Sequence, residues 1–153
     1  MIYSDLKICT LEEYLEICKK YDMTAIIEVK GKNNTEYYSE VIDSVNTIGA
    51  KAIFISFHFS DLEKLREITD VPLYLLVMDM KEEHLNLVKT LENCGIDFNG
   101  NRPSVLKTDL ISRCLDENIP LISWTINESE LFEKLTDLGV THITTDRLYQ
   151  CEK

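Results

Sequence analysis

The strict alternation of strand-like and helix-like segments constrains the fold of this chain more than any other feature. Six short apolar runs are separated by stretches of helical periodicity, and each strand–helix unit takes about 25 residues. The predicted strands span residues 25–30, 52–56, 72–77, 96–99, 121–125 and 140–144. The predicted helices span residues 10–21, 35–48, 60–68, 81–93, 104–117 and 127–139. Because strands that are joined by helices run parallel, the sequence predicts an α/β protein.

No linker or low-complexity stretch interrupts this pattern, so residues 1–153 are predicted to form a single domain. Two architectures accommodate parallel strands with crossover helices. A doubly wound open sheet takes six strands directly, whereas a closed (β/α)₈ barrel needs eight strands and typically about 250 residues. The alternation alone therefore favours the open sheet.

Local signals mark several helix ends. Thr10 and Glu13 have the spacing of a capping box, in which each side chain bonds to the backbone amide of the other residue. Gly49 is predicted to end the second helix, because glycine readily takes the left-handed conformation of a C-terminal cap. By the same reasoning Gly95 is predicted to stop the fourth helix. Ser104 is predicted to cap the N-terminus of the fifth helix, because a serine hydroxyl can accept from a free backbone amide there.

The composition is that of a soluble globular protein, with 44% hydrophobic and 28% charged residues. The net charge of −11 disfavours binding to nucleic acids and to anionic membrane surfaces, since both need a basic footprint. It leaves an anionic substrate open, because a metal ion and one lysine can reverse the local field. No apolar run is long enough to span a bilayer, so no transmembrane segment is predicted.

The five cysteines and three histidines show no metal-binding or disulfide spacing. An odd number of cysteines without a C-x-x-C pair indicates reduced thiols, which are typical of the cytosol. The N-terminal residues carry an early charge at Asp5, so no signal peptide is predicted. The expected localisation is therefore cytoplasmic.

The first predicted strand ends in Ile27-Glu28-Val29-Lys30. Strand periodicity places Glu28 and Lys30 on the same side of that strand. An acid and a base on one face of a buried strand are costly unless they have partners, so the pair marks a candidate site. The plainer interpretation is a strand-end ion pair that faces solvent.

Six segments, in order along nearly the whole chain, resemble the motifs of the glycerophosphodiester phosphodiesterase family. Residues 10–15 resemble its T-L-E-E-hydrophobic-L segment, residues 27–30 its I-E-I-K strand, and residues 55–57 its S-S-F strand end. Residues 73–77 resemble the apolar strand that follows, and residues 119–127 the G-x-x-V-x-x-W-T-V-N block. Residues 139–147 resemble the closing G-V-D-G-I-I-T-D-R. Each motif is weak by itself, but six in the right order are specific.

This resemblance reverses the choice of architecture, because it implies a TIM-type barrel with its site at the C-terminal ends of the strands. It also implies metal-dependent hydrolysis of glycerophosphodiesters to glycerol 3-phosphate and an alcohol. By the same resemblance Glu28 is a ligand of a divalent cation, Mg²⁺ or Ca²⁺, both of which prefer oxygen ligands. Lys30 then neutralises a phosphate oxygen of the substrate. Phe57 and Trp124 line the pocket for its alcohol portion.

The departures from the family pattern are equally informative. The family's H-R-G strand, the following E-x-D metal ligands and the H-D motif have no counterpart in this sequence. The expected fold is therefore a partial barrel, with about six of the eight parallel strands and their outer helices. No catalytic residue is assigned, and we expect this chain alone to be inactive, with the cation weakly held or absent. The alternative is a degenerate barrel that serves as a non-catalytic module for a phospho-ligand or a protein partner.

A six-strand arc has two open edges, which a closed barrel lacks. Self-association, a separate partner segment or a rearrangement of residues 1–9 could each protect these edges. Plainer interpretations of the aromatic residues also stay open at this point. Trp124 could be a core aromatic, and Phe57 could serve packing rather than substrate contact. Asp146 is predicted to cap locally or to pair with Arg147.

Overall fold

The computed structural model describes residues 7–30, 35–107 and 109–148. Its strands are β1 (Thr24–Glu28), β2 (Lys51–Ser56), β3 (Leu73–Val77), β4 (Cys94–Asn99), β5 (Leu121–Trp124) and β6 (His142–Ile143). Its helices are α1 (Leu11–Lys20), α2 (Thr35–Ile48), α3 (Phe59–Arg66), α4 (Glu82–Val88), α5 (Leu110–Asp116) and α6 (Ser129–Asp137). A short 3₁₀ turn at Val105–Lys107 precedes α5. The strict alternation of the sequence is therefore confirmed.

The six strands form one parallel sheet in the order β1-β2-β3-β4-β5-β6. A doubly wound sheet would show a reversal of strand order at a switch point, and this sequential order has none. The sheet curls into a half-barrel with helices around it, which confirms an α/β partial TIM barrel. The interpretation from alternation alone, the open doubly wound sheet, is wrong. The assignment of residues 1–153 to one domain stays a prediction.

The main hydrophobic core lies between the convex face of the sheet and the helices. Alternate strand residues supply it, including Phe54, Leu75 and Phe98, each 4% exposed or less. The residues between them point to the concave face, where Tyr74, Leu76 and Ile122 are also buried. Strand β3 is consequently buried on both faces, as its unbroken apolar sequence predicts.

Several predicted helix ends are confirmed and two are corrected. The capping box of Thr10 and Glu13 is present, and Gly49 ends α2 with a φ of 71°. The fourth helix, however, stops at Val88, and Asn93 takes the left-handed conformation with a φ of 51°. Gly95 instead lies inside β4, where an added Cβ would come 2.4 Å from the Pro120 carbonyl oxygen. Its role is therefore close packing rather than helix termination.

The fifth helix also differs from the prediction. The hydroxyl of Ser104 donates to a carboxylate oxygen of Asp79 at 3.0 Å, and so it does not cap a helix. The chain forms the 3₁₀ turn there, and α5 begins only at Leu110. The last strand is shorter than predicted and covers His142–Ile143. In the part of the chain that the structure describes, no helix is long and apolar enough to cross a membrane.

Candidate functional site

A cavity of about 320 Å³ opens on the concave face at the C-terminal ends of the strands. Its walls come from strands β1 to β5 and from residues that follow β1, β2 and β6. They are Ile26, Glu28, Lys30, Ile55, Phe57, Leu76, Asp97, Trp124 and Thr144. All four site residues predicted from the sequence, Glu28, Lys30, Phe57 and Trp124, thus lie around one space.

Glu28 and Lys30 share the concave face, as the strand periodicity predicts. Val29 between them points into the core with 1% exposure, and its amide donates to the Ile55 carbonyl at 2.9 Å. The Lys30 Nζ lies 3.2 Å from Oε2 of Glu28, so the two side chains form an ion pair. The Glu28 side chain is 30% exposed and the Lys30 side chain 79%. The pair is at once a strand-end ion pair and part of the cavity wall.

Phe57 and Trp124 form an edge-to-face pair, which we call the aromatic wall. Their ring centroids lie 6.1 Å apart and their planes are at 87°. The Trp124 indole N–H donates to the backbone oxygen of Asp97 at 3.2 Å, which fixes the orientation of that ring. Phe57 remains 46% exposed, so this aromatic side chain is not a plain core residue. The aromatic wall offers an apolar surface to a ligand in the cavity.

A buried polar network holds the backbone just before Phe57. The carboxylate of Asp61 in α3 accepts from the Tyr38 hydroxyl at 2.7 Å and from the Ser56 hydroxyl at 3.0 Å. Ser56 also accepts from the backbone amide of His58 at 3.1 Å. The network joins α2, α3 and the end of β2, and so it fixes where Phe57 leaves the strand. Sequence reasoning missed it, since residues 23 positions apart gave no sign of contact.

Asp97 is the ionisable residue of the cavity that sequence reasoning missed. It lies in β4 with 2% exposure, and none of the described residues gives its Oδ1 a hydrogen bond. Burial, and to a smaller extent the nearby charge of Glu28, raises the pKa of Asp97 to about 7. An acid within the apolar run 96–98 was the available signal, because strand alternation places Asp97 on the concave face.

The cavity offers a divalent cation two carboxylates. Among the residues that the structure describes, no three His, Cys, Asp or Glu side chains cluster closely enough to hold a metal. Glu28 and Asp97 are nevertheless close enough for one charge to affect the other. Mg²⁺ is commonly bound through one or two carboxylates, with water and phosphate oxygens completing its coordination. The unpartnered Oδ1 of Asp97 fits such a site.

The two C-terminal motifs contact each other beside the cavity. Asn127 donates to the carboxylate of Asp146 at 3.0 Å and accepts from the Asp146 amide at 3.0 Å. It also accepts from the Thr145 hydroxyl at 3.2 Å. Asp146 therefore pairs with Asn127 rather than with Arg147, contrary to the expectation from the sequence. The contact fixes the chain directly after Thr144, which lines the cavity.

Residues 2–149 match the model of the glycerophosphoryl diester phosphodiesterase family. Comparison with curated proteins gives no match.

Solved structures show the same fold. A phosphodiesterase from Oleispira antarctica in complex with the product sn-glycerol-3-phosphate is 18% identical and superposes with a TM-score of 0.78. That alignment covers 90% of this chain and 57% of the Oleispira chain. A glycerophosphodiester phosphodiesterase from Parabacteroides distasonis is 23% identical with a TM-score of 0.72, over 90% of this chain and 59% of that one.

A third enzyme of the same description, from Thermotoga maritima, is 22% identical with a TM-score of 0.70. Here the alignment covers 92% of this chain and 61% of the Thermotoga chain. The chain thus spans less than two thirds of the length of each of these three structures.

Proposed function

The chain belongs to the glycerophosphoryl diester phosphodiesterase family, and on that premise we propose that its cavity binds the glycerol phosphate portion of a glycerophosphodiester. The observation that carries the proposal is the convergence of two carboxylates, an exposed lysine and an aromatic pair on one cavity. The Oleispira structure with bound sn-glycerol-3-phosphate supports the same class of ligand.

Lys30 is the residue that we assign to the phosphate. Its ammonium group is largely exposed and already lies at the cavity mouth, 3.2 Å from Glu28. A net charge of −11 repels an anionic ligand from the protein as a whole. A local positive charge is therefore needed wherever the phosphate enters, and Lys30 is the only lysine or arginine among the described residues that line this cavity.

The aromatic wall is assigned to the alcohol portion of the ligand. Phe57 and Trp124 present ring surface to the cavity, and Ile26, Ile55 and Leu76 extend that apolar surface. Carbon-bound hydrogens of a glycerol or alcohol group pack against such a surface without loss of hydrogen bonds.

Glu28 is assigned to a divalent cation, Mg²⁺ or Ca²⁺, as the family resemblance implies. Such a cation, when bound, stabilises negative charge on the phosphoryl oxygens. Lys30 orients the phosphate, and the aromatic wall excludes water from the alcohol side of the cavity.

We further propose that this chain by itself does not hydrolyse the ligand. The sequence has no H-R-G, E-x-D or H-D motif, and no histidine lines the cavity within the described residues. Phosphodiester cleavage needs a proton donor within reach of the leaving oxygen, and the family resemblance assigns that role to the H-R-G histidine that this sequence lacks. The function that remains is that of a phospho-ligand-binding module with the architecture of the enzyme.

Isothermal titration with sn-glycerol 3-phosphate and Mg²⁺ tests the binding function. We expect saturable binding that Lys30→Met weakens by about tenfold, because it removes the charge that faces the phosphate. Lys51→Met is the matched control, since Lys51 pairs with Asp22 at the opposite end of the strands. The absence of binding would contradict the proposal. Release of glycerol 3-phosphate from a glycerophosphodiester would contradict the proposed inactivity.

The open edges of the arc favour a second function, association with another copy of the chain. In the described residues β1 pairs only with β2 and β6 only with β5, and Ile26 on β1 is 42% exposed. The apolar edge strands of parallel sheets are normally covered by other parts of the protein or by a partner. Residues 1–9 could cover these edges instead. The structure describes only residues 7–9 of that segment. We expect light scattering to give a dimer mass, and a stable monomer at high concentration would contradict this.

The cytoplasmic localisation is proposed from the thiols. The cysteines in the described part of the chain, Cys9, Cys18, Cys94 and Cys114, are all free. Burial raises the pKa of the Cys94 and Cys114 thiols to about 12, which keeps both groups protonated and unreactive. Unpaired buried thiols are typical of reducing compartments.

A further inference from the structure

Asp97 holds a buried carboxylate oxygen for which the described residues supply no donor. The residue is 2% exposed, and Oδ1 has no hydrogen-bond partner. Its neighbours on the concave face in β3 and β5, Leu76 and Ile122, carry only hydrocarbon side chains. The indole N–H of Trp124 is already bound to the Asp97 backbone oxygen. Buried polar groups nearly always have partners, so this oxygen indicates a group that the protein binds.

Glu28 adds a second carboxylate that faces the same space. Its charge acts on Asp97 unfavourably, since two like charges that share a poorly solvated site repel each other. A doubly charged cation between them turns this repulsion into two favourable contacts.

Lys30 neutralises only one of the two carboxylates. Its single ammonium group contacts Oε2 of Glu28 at 3.2 Å. Even so, no group in the described part of the chain donates to the Oδ1 of Asp97. Lys30 can therefore neutralise Glu28 in the absence of a cation, but it does not satisfy the buried oxygen.

We propose that Asp97 and Glu28 together bind a divalent cation of the Mg²⁺ class, and that Lys30 competes with this cation for Glu28. The proposal rests on the proposed function for the role of Glu28 as a cation ligand. It adds Asp97 as a second ligand, which the family resemblance does not supply. Two carboxylates are enough for Mg²⁺, which retains several water molecules and takes further oxygens from a phosphate. Lys30, once displaced from Glu28, is free for that phosphate.

Titration of the chelator-treated protein with Mn²⁺ tests the proposal, with the electron paramagnetic resonance signal of free Mn²⁺ as the readout. We expect Asp97→Asn and Glu28→Gln each to weaken Mn²⁺ binding by at least about tenfold, because each removes one anionic ligand. Lys30→Met is expected to tighten binding by about threefold, because it removes a competing positive charge. No activity is needed for this measurement.

Two variants at a distant ion pair serve as controls. Asp22→Asn and Lys51→Met make the same changes in charge at an exposed pair with a 2.7 Å contact. Both are expected to bind Mn²⁺ like the wild type, since exposed charges far from the cavity are screened. Asn tolerates the positive φ of 54° at Asp22, so the backbone of that control is preserved.

The outcomes separate this proposal from the proposed function. If Asp97→Asn binds Mn²⁺ like the wild type while Glu28→Gln does not, the role of Asp97 is wrong and the proposed function stands. Wild-type protein that binds sn-glycerol 3-phosphate but no Mn²⁺ contradicts the cation site, together with the cation role of Glu28, and leaves the proposed glycerol phosphate binding standing. Mn²⁺ binding that depends on Asp97, without any glycerol phosphate binding, supports the cation site and contradicts the proposed function.

Discussion

Replacing Asp97 with asparagine is expected to raise the free energy of unfolding of the cation-free protein by about 4 kcal/mol at about pH 9. The pKa of Asp97 rises from 3.8 to about 7 on folding, mainly because the carboxyl is buried. Above pH 7 the wild type must therefore keep a charge in a poorly solvated place beside Glu28. Asparagine has nearly the same shape and carries no charge.

The pH dependence follows from the direction of that shift. Between about pH 4 and pH 7 the folded protein holds a proton on Asp97 that the unfolded chain has released. The stability of the wild type therefore falls as the pH rises through this window. Well below the unfolded pKa of 3.8, at about pH 2.5, both states are protonated, and the two proteins are expected to differ little. Urea denaturation at several pH values, with a chelator present, measures the difference directly.

The nearby Tyr74 does not affect this comparison. Glu28 and Tyr74 are the groups whose charges couple to Asp97. The pKa of Tyr74 is itself raised, chiefly by burial, so Tyr74 stays neutral throughout the window. The control Asp22→Asn should show the opposite sign, since the bond from Lys51 lowers the pKa of Asp22. If Asp97→Asn is less stable than the wild type at every pH, the carboxylate has a stabilising partner and the argument is wrong.

The sequence was sufficient for the elements of the fold but not for their arrangement. Apolar runs such as 73–77 are buried on both faces of a parallel sheet, and their spacing predicts that directly. Strand order depends on contacts between distant segments, and the alternation alone favoured the wrong architecture. The resemblance of the motifs corrected it. At the ends of elements, local preference failed where tertiary contacts decide, as for Gly95 against Tyr74 and Pro120.

In the site, too, local sequence predicted some features, whereas others depend on contacts in three dimensions. The placement of Glu28, Lys30, Phe57 and Trp124 around one cavity was predictable, because the C-terminal ends of parallel strands converge. Their roles there stay predictions. Asp97 was not predicted, although it lies on the same face. A single acid in an apolar strand does not reveal whether a hydrogen-bond donor reaches it. Only the surroundings in three dimensions show that no donor within residues 7–30, 35–107 and 109–148 reaches its Oδ1.

Replacing Asp61 with alanine is expected to lower the free energy of unfolding by about 3 kcal/mol, because two buried hydroxyl donors lose their acceptor. Those donors are Tyr38 and Ser56, which reach the carboxylate from α2 and from the end of β2. Asp61→Asn keeps one acceptor and is expected to lose about half as much. In a double-mutant cycle, Tyr38→Phe should cost much less in the Asp61→Ala background than in the wild type.

The same substitution should also disturb the aromatic wall, which a purely local loss of stability would not do. Ser56 directly precedes Phe57, and Phe57 packs edge-to-face on Trp124. Trp124 is the one tryptophan of the sequence, so its emission reports on this contact in the folded protein. We expect Asp61→Ala to shift the native emission, and Ser44→Ala, which removes an exposed bond to Glu12, to leave it unchanged. An unchanged emission in folded Asp61→Ala would show that the network stabilises the protein without positioning Phe57.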